Sequence, residues 1–174
     1  MRAPLIAIAL TILPMTALTL STAQAAERAL SFPVGGVVAA VKVKSGQHVQ
    51  AGDVLAVLDL RTFEAAKHAA DVARKATKTI FELADVRYNQ TKELFDALST
   101  SAENVETAQI ERARALMAFE DANRDAVLAQ WNLERATLKA PFSGTVSAVP
   151  GYSGQVVSTM SSPIDVVVIN SESD

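Results

Sequence analysis

Pro33-Val34-Gly35-Gly36-Val37-Val38-Ala39-Ala40-Val41-Lys42-Val43-Lys44-Ser45-Gly46-Gln47-His48-Val49 returns, 108 residues later, as Pro141-Phe142-Ser143-Gly144-Thr145-Val146-Ser147-Ala148-Val149-Pro150-Gly151-Tyr152-Ser153-Gly154-Gln155-Val156-Val157. Nine of the seventeen positions are identical: Pro33, Gly36, Val38, Ala40, Val41, Ser45, Gly46, Gln47 and Val49 each have the same residue in the second copy. An ungapped match of that density marks two copies of one supersecondary unit. Each copy carries strand chemistry, with β-branched Val37, Val41 and Val43 between turn clusters at Ser45-Gly46 and Ala51-Gly52-Asp53. In the second copy Ser143-Gly144 and Ser153-Gly154 take that part, and glycine at such places supplies positive φ. An apolar strand closes each copy, Val54–Leu58 in one and Ile164–Ile169 in the other. Neither half has enough strands to hide its apolar face, and a lone hairpin is marginal in water. The halves, 30–58 and 138–170, must pack on each other as a pseudo-symmetric sandwich, which brings residue 59 close to residue 137.

What lies between, 60–137, reads as helix. There is no Gly or Pro from Phe63 to Leu98, nor from Thr100 to Ala140. A 3–4 spacing runs through Phe63, Ala66, Ala70, Ala73, Thr77, Ile80, Ala84, Arg87, Thr91, Leu94 and Leu98. It resumes through Val105, Ala108, Arg112, Ala115, Phe119, Ala122, Ala126, Ala129, Leu133 and Ala136. Two such arms predict an antiparallel coiled-coil hairpin, each arm extending about 55 Å, with its tip near 98–101. Asp59 is positioned to cap the first arm, and Thr100 with Glu103 resembles a capping box for the second. Arg87 and Arg112 fall at one level across this seam and should repel. They must either turn outward towards Asp85 and Glu111, or mark a change of phase. The fold class is therefore α+β: a split β-sandwich, which resembles the lipoyl/biotinyl type, interrupted by a long antiparallel α-helical coiled-coil hairpin.

Composition sets outer bounds. Net charge is −3 with both signs interspersed, which gives no reason to expect a nucleic acid partner. Cysteine is absent, which removes disulfides, thiolate nucleophiles and lipoprotein anchoring from consideration. Residues 1–25 have the form of a signal peptide: Met1-Arg2, an apolar run over 3–20, then Ala23-Gln24-Ala25 before a cleavage point. An uncleaved anchor is the alternative, since that run approaches the ~20 residues of a membrane span. The chain is thus expected in the periplasm, free or tethered at its N-terminus, with a polar tail at 171–174.

The order half-motif, hairpin, half-motif resembles the periplasmic adaptor family, also called membrane-fusion or haemolysin D-like proteins. The residues that carry the resemblance are Phe32–Val38 and Lys44–Leu55 in the first half, Leu58–Ala65 at the hairpin entry and Ala136–Val146 at its return. The resemblance implies an adaptor of a tripartite efflux or secretion system. Its partners would be an outer-membrane channel and an inner-membrane transporter of resistance-nodulation-division or ABC type. Copies would stand side by side as a homo-oligomer, or assemble with a longer adaptor. Adaptors of the resistance-nodulation-division class carry Arg, then Leu four residues on, then Ser seven beyond, at the hairpin tip. Here Leu94 and Ser101 have that separation, Val105, Glu106 and Ala108 follow in similar places, and Gln90 stands at the Arg position with Arg87 one turn away. The expected partner-binding set is Gln90, Leu94, Phe95, Leu98, Ser101 and Val105. Phe95, off the seam, is the better contact, while Leu94 and Leu98 also suit the coiled-coil core. Members of usual size continue into a β-barrel and a membrane-proximal domain, so a chain ending at Asp174 resembles a short form.

No catalytic set emerges, and neither enzyme activity nor a cofactor is expected. Carriers with this sandwich hold a modified Lys at the turn that the hairpin replaces, and Lys67 nearby reads as a solvated helix residue. His48 and His68 lack a patterned second ligand. Met117 and Met160 suit packing. Glu82 with Asp85, and Glu120 with Asp121, suit charged helix faces, and Gly35-Gly36 has no following helix to cradle phosphate. Trp131 suits either a neighbouring subunit or the hairpin itself. A scaffold or accessory subunit without pump contact is the competing reading, and a biotin or lipoate carrier a third.

Overall fold

A computed structural model describes residues 27–159 and 163–171. Residues 1–25, expected as a signal peptide, and most of the polar tail lie outside the described residues, as does Met160. Eight strands and two helices follow in the order β1 (Glu27–Leu30), β2 (Gly36–Val41), β3 (His48–Val49), β4 (Val54–Leu58), α1 (Arg61–Asp96), α2 (Ala102–Arg135), β5 (Thr137–Lys139), β6 (Gly144–Ala148), β7 (Val156–Val157) and β8 (Val167–Ser171). The closing strand of the second half begins three residues later than its apolar run suggests. β1 is a strand that Glu27-Arg28-Ala29-Leu30 does not announce.

The strands form two four-stranded sheets, β1-β8-β6-β3 and β5-β4-β2-β7, and every pairing is antiparallel. Each sheet has two strands of one half at its centre-line and strands of the other half beside them. β7 of the second half borders β2 of the first, and β3 of the first borders β6 of the second. The halves are interlocked, which goes further than one packing on the other. The core shows the same partition. Val38, Val49, Leu55 and Leu58 from the first half meet Val146, Val166, Val167 and Ile169 from the second, all fully buried. No polar or charged residue is buried among the described residues, so nothing in this core has to be desolvated without return.

The repeated glycines divide by purpose. Gly46 and Gly154 sit at φ 82° and 89°, the left-handed turn positions expected of them. Gly144 has no positive φ. A Cβ there would stand 2.2 Å from the Asn170 carbonyl oxygen, so glycine lets β6 approach β8 closely.

The strands return the chain to where it left. Leu58 N–H donates to the Ala136 carbonyl (2.9 Å), and Val57 faces Thr137 across β4 and β5. α1 and α2 therefore leave and rejoin the sandwich at adjacent points and must run side by side. At 1.5 Å per residue α1 is about 54 Å long.

On α2 the inward face is the one the spacing predicts, from Val105 through Ala108, Arg112, Ala115 and Phe119 to Ala136. α1 differs. Phe63, Ala70, Thr77, Ala84 and Thr91 lie inward as expected, but the alternate positions Ala66, Ala73, Ile80, Arg87 and Leu94 are exposed. Lys67, Phe81 and Tyr88 are half-buried in their place. The cause is area: an aromatic ring covers far more surface than Ala or Ile at the neighbouring position. Phe81 stacks on Phe119, with centroids 6.2 Å apart and rings within 5° of parallel. This rotation of α1 also resolves the arginine conflict. Arg112 stays near the seam, its guanidinium 5.8 Å from the Phe81 ring and 5.7 Å from Tyr88, and ion-paired to Asp85. Arg87 turns outward to Glu111 at 3.4 Å.

Both helix starts differ by a residue from the caps expected. α1 begins after Leu60, which has no capping side chain, while the Asp59 carboxylate accepts from the Arg61 N–H (3.2 Å) and its guanidinium (2.5 Å). That pair holds the Asp59 carboxyl down at about 2, chiefly through the Arg61 side-chain hydrogen bond. At α2 the cap is Ser101. Its extended backbone (φ −94°, ψ 159°) lets the hydroxyl accept the Asn104 N–H, and Thr100 instead takes the Asn104 side-chain amide (2.8 Å).

Candidate hairpin-tip interface

The tip is built by the way α1 stops. Ala97 N–H reaches the Glu93 carbonyl (3.0 Å), Leu98 N–H the Phe95 carbonyl (2.9 Å), and Ser99 N–H the Leu94 carbonyl (2.8 Å). The last two bonds are the 5→2 and 6→1 pair of a Schellman motif, which requires a left-handed residue at its centre. Glycine is usual there; this chain has Leu98, at φ 56°. A β-carbon in that region costs about 1–2 kcal/mol, and Leu98 recovers none of it by burial, being 94% exposed.

The other expected residues are distributed around this turn. Leu94 (52% exposed) and Phe95 (40%) lie one turn below it on α1, so Leu94 and Leu98 are surface and not coiled-coil core. Ser101 is committed to capping α2, and Val105 is half-buried against α1. Leu94 borders a shallow groove of about 290 Å³ with Thr91, Thr100, Asn104 and Ala108. Gln90 is set apart. Eight residues before Leu98, it stands about 12 Å down the rod and lines a lateral groove of about 560 Å³ with Ile80, Leu83, Val86, Arg87 and Glu111. The tip thus gathers Leu94, Phe95, Leu98 and Ser101, while Gln90 belongs to the side of the hairpin.

That side holds residues which the spacing did not single out. Val72, Ile80, Leu83 and Val86 are exposed along α1 as a second apolar stripe, and Ile80, Leu83 and Val86 form the α1 wall of the lateral groove. The signal was present as the full composition of that face, but a search for one seam assigns Ile80 inward and passes over Leu83 and Val86.

Lys67 Nζ is ion-paired to Asp71 at 2.5 Å on the flank of α1, and its hydrogen bond lowers the Asp71 carboxyl below its ordinary value. Among the described residues no three His, Asp or Glu side chains converge on a metal-sized point, and no helix is long and apolar enough to cross a membrane.

Residues 27–168 match the family model of the CzcB-like barrel-sandwich hybrid domain. Comparison with curated protein sequences finds no match. Among solved structures, the membrane fusion protein Spr0693 from Streptococcus pneumoniae R6 superposes with a TM-score of 0.64 at 21% identity, over 84% of this chain and 59% of its own. A MacA–MexA chimera containing the Pseudomonas aeruginosa MexA α-hairpin domain gives 0.61 at 25%, over 84% and 46%. ZneB from Cupriavidus metallidurans gives 0.60 at 16%, over 87% and 62%. The chain therefore spans roughly half to three-fifths of the length of these structures. A sandwich of two interlocked half-motifs, a hairpin inserted between them and a family match over most of the chain agree: this protein belongs to the CzcB-like barrel-sandwich hybrid domain family.

Proposed function

We propose that the protein is a periplasmic adaptor subunit of a tripartite efflux or secretion system, bridging an inner-membrane transporter to an outer-membrane channel. The observation that carries this reading is Leu98. The chain accepts left-handed strain at the far end of a rod about 54 Å long and sets an uncovered leucine there beside Leu94 and Phe95. Such an apolar end suits insertion between the helical ends of a channel, where each buried side chain contributes about 1.5–3 kcal/mol. The action is mechanical, with no catalytic step, and energy for transport comes from the transporter.

The second apolar stripe of α1 supports copies standing side by side, each rod covering the next. It serves equally for packing against a longer adaptor, which is the accessory-subunit reading. Photo-crosslinking in cells from Leu98, Phe95 and Ile80 separates the two. The adaptor reading expects channel adducts from Leu98 and Phe95, with self-adducts from Ile80. Tip adducts only to the chain itself or to a longer adaptor would replace it with the accessory role.

A further inference from the structure

The rod pairs its charges by spacing until it nears the tip. Lys67 with Asp71, Asp71 with Arg74, Lys78 with Glu82 and Asp121 with Arg124 are ion pairs three or four residues apart, at 2.5, 3.4, 3.6 and 2.9 Å. Each supports its own helix. Across the seam Arg87 meets Glu111 and Arg112 meets Asp85. From 88 to 110 this pattern stops. The charged residues there are Lys92, Glu93, Asp96, Glu103 and Glu106, four acids to one base. All five are exposed, and none is ion-paired among the described residues. Lys92 stands four residues before Asp96 without engaging it.

This arrangement works against the fold. Glu93 with Asp96, and Glu103 with Glu106, set like charges three residues apart on one helix, a spacing at which opposite charges help and equal ones repel. Glu93 and Asp96 also fall in the last turn of α1, which holds no basic residue. The free carbonyls of a helix C-terminus carry partial negative charge and favour Lys or Arg there. Glu103, in the first turn of α2, suits its helix end; the others do not share that advantage. Leu98 adds its left-handed backbone at the same place. Local rules are kept along the rod and broken together at its end, and such breaches gather where a surface serves another molecule.

We infer that the tip docks on a cationic surface: the channel end it meets presents Lys or Arg side chains around the recess that takes Leu94, Phe95 and Leu98. This names the partner's chemistry within the adaptor reading and rests on that reading. Charge complementarity chooses the occupant. Four unpaired carboxylates at the end of a rod repel an acidic surface. Against a purely apolar one they lose water and gain no partner. A basic rim answers them at the edge of the contact, where charge acts mainly on the rate of encounter and the choice of partner. The apolar centre holds and the acidic rim steers.

A photo-crosslinking side chain at Phe95 tests this in cells. Three tips are compared: the native one, the neutralised variant Glu93→Gln, Asp96→Asn, Glu103→Gln, Glu106→Gln, and a control, Glu64→Gln with Glu120→Gln, away from the tip. Channel adduct should be about tenfold weaker from the neutralised tip and unchanged from the control, equivalent to ~1.4 kcal/mol. The channel peptide recovered in the adduct should carry more Lys and Arg than Asp and Glu. Equal adduct from the neutralised tip, or an acidic channel peptide, overturns the inference and leaves the adaptor reading standing. No channel adduct from the native tip overturns both. Neutralisation relieves the repulsion, so the variant should melt at a higher temperature by circular dichroism, which separates lost docking from lost folding. A lower melting temperature contradicts the conflict described above and overturns the inference. With the channel so identified and purified, the association rate should fall about tenfold between roughly 50 and roughly 300 mM NaCl and ignore EDTA. A rate independent of salt, or docking that needs a divalent cation to bridge two acidic surfaces, overturns it equally.

Discussion

The sandwich and the hairpin solve the same burial problem with opposite economies. In the sandwich, side chains about a hundred positions apart in sequence close around one another, and eight large ones lose all contact with water. In the hairpin, α1 buries no residue and α2 buries only Ala108, Ala115 and Ala126. The sandwich is stabilised by area per residue. The hairpin depends on helix propensity, spaced ion pairs and one aromatic cluster around Arg112. A thick core fixes a shape; a thin seam leaves most of its surface free for other molecules.

Substitutions can break that contrast or sharpen it. The largest effect should come from Leu55→Ala, at the fully buried centre of the interlocked sheets, with a loss of about 2–5 kcal/mol in urea unfolding. If L55A cost under 1 kcal/mol, the sandwich would not be the anchor of the fold. Phe119→Ala removes the ring beneath Phe81 and should cost about 2 kcal/mol, less than full burial would give. Hydrogen exchange should then rise along α1 and α2 while β4 and β8 keep their protection; uniform loss would mean that the two regions melt as one. Leu98→Gly should act in the other direction, gaining about 1 kcal/mol by relieving the left-handed strain while removing the tip contact. Greater stability with weaker channel crosslinking is the expected signature, and a destabilised L98G would contradict the strain.

The smallest effect concerns the junction. Asp59 has its carboxyl at about 2 when folded, against an ordinary 3.8, chiefly through the Arg61 hydrogen bond. A depressed carboxyl contributes stability above its unfolded value and loses it as pH falls towards the folded one. The increment should therefore disappear between about pH 4 and pH 2, and Asp59→Asn should flatten that part of the unfolding profile. Arg61 is exposed and Asp59 partly so, and salt should diminish the effect.

Legibility followed the number of answers each segment allowed. The ungapped repeat left one interpretation for the half-motifs, and α2, with a single stripe of Ala108, Ala115, Phe119 and Ala126, left one inward face. α1 carries two apolar stripes less than half a turn apart. Periodicity weighs both alike, and only the ring stacking of Phe81 on Phe119 chooses. Strand exchange was hidden for a related reason. Two nearly identical half-motifs offer each edge strand two chemically similar neighbours, so sequence cannot say that β7 joins β2. Ser101 and Thr100 are both good caps by type, and the extended backbone at Ser101 selects it. At the tip, Leu94 and Leu98 fit the heptad as spelled. Leu94 is exposed by the same rotation of α1 that exposes Ile80 and Arg87, and Leu98 by the Schellman turn, which ends α1 before it can face α2.

Interlocking also sets an order of events during biogenesis. β4 leaves the ribosome about eighty residues before β5, the strand that must border it; joining those ends across a disordered loop of that length would cost about 4 kcal/mol, plus a constant. The hairpin forms from local contacts and folds back on itself, delivering Thr137 to Val57 with that closure already made. The rod is thus the assembly jig for the sandwich before it becomes a reach towards any partner.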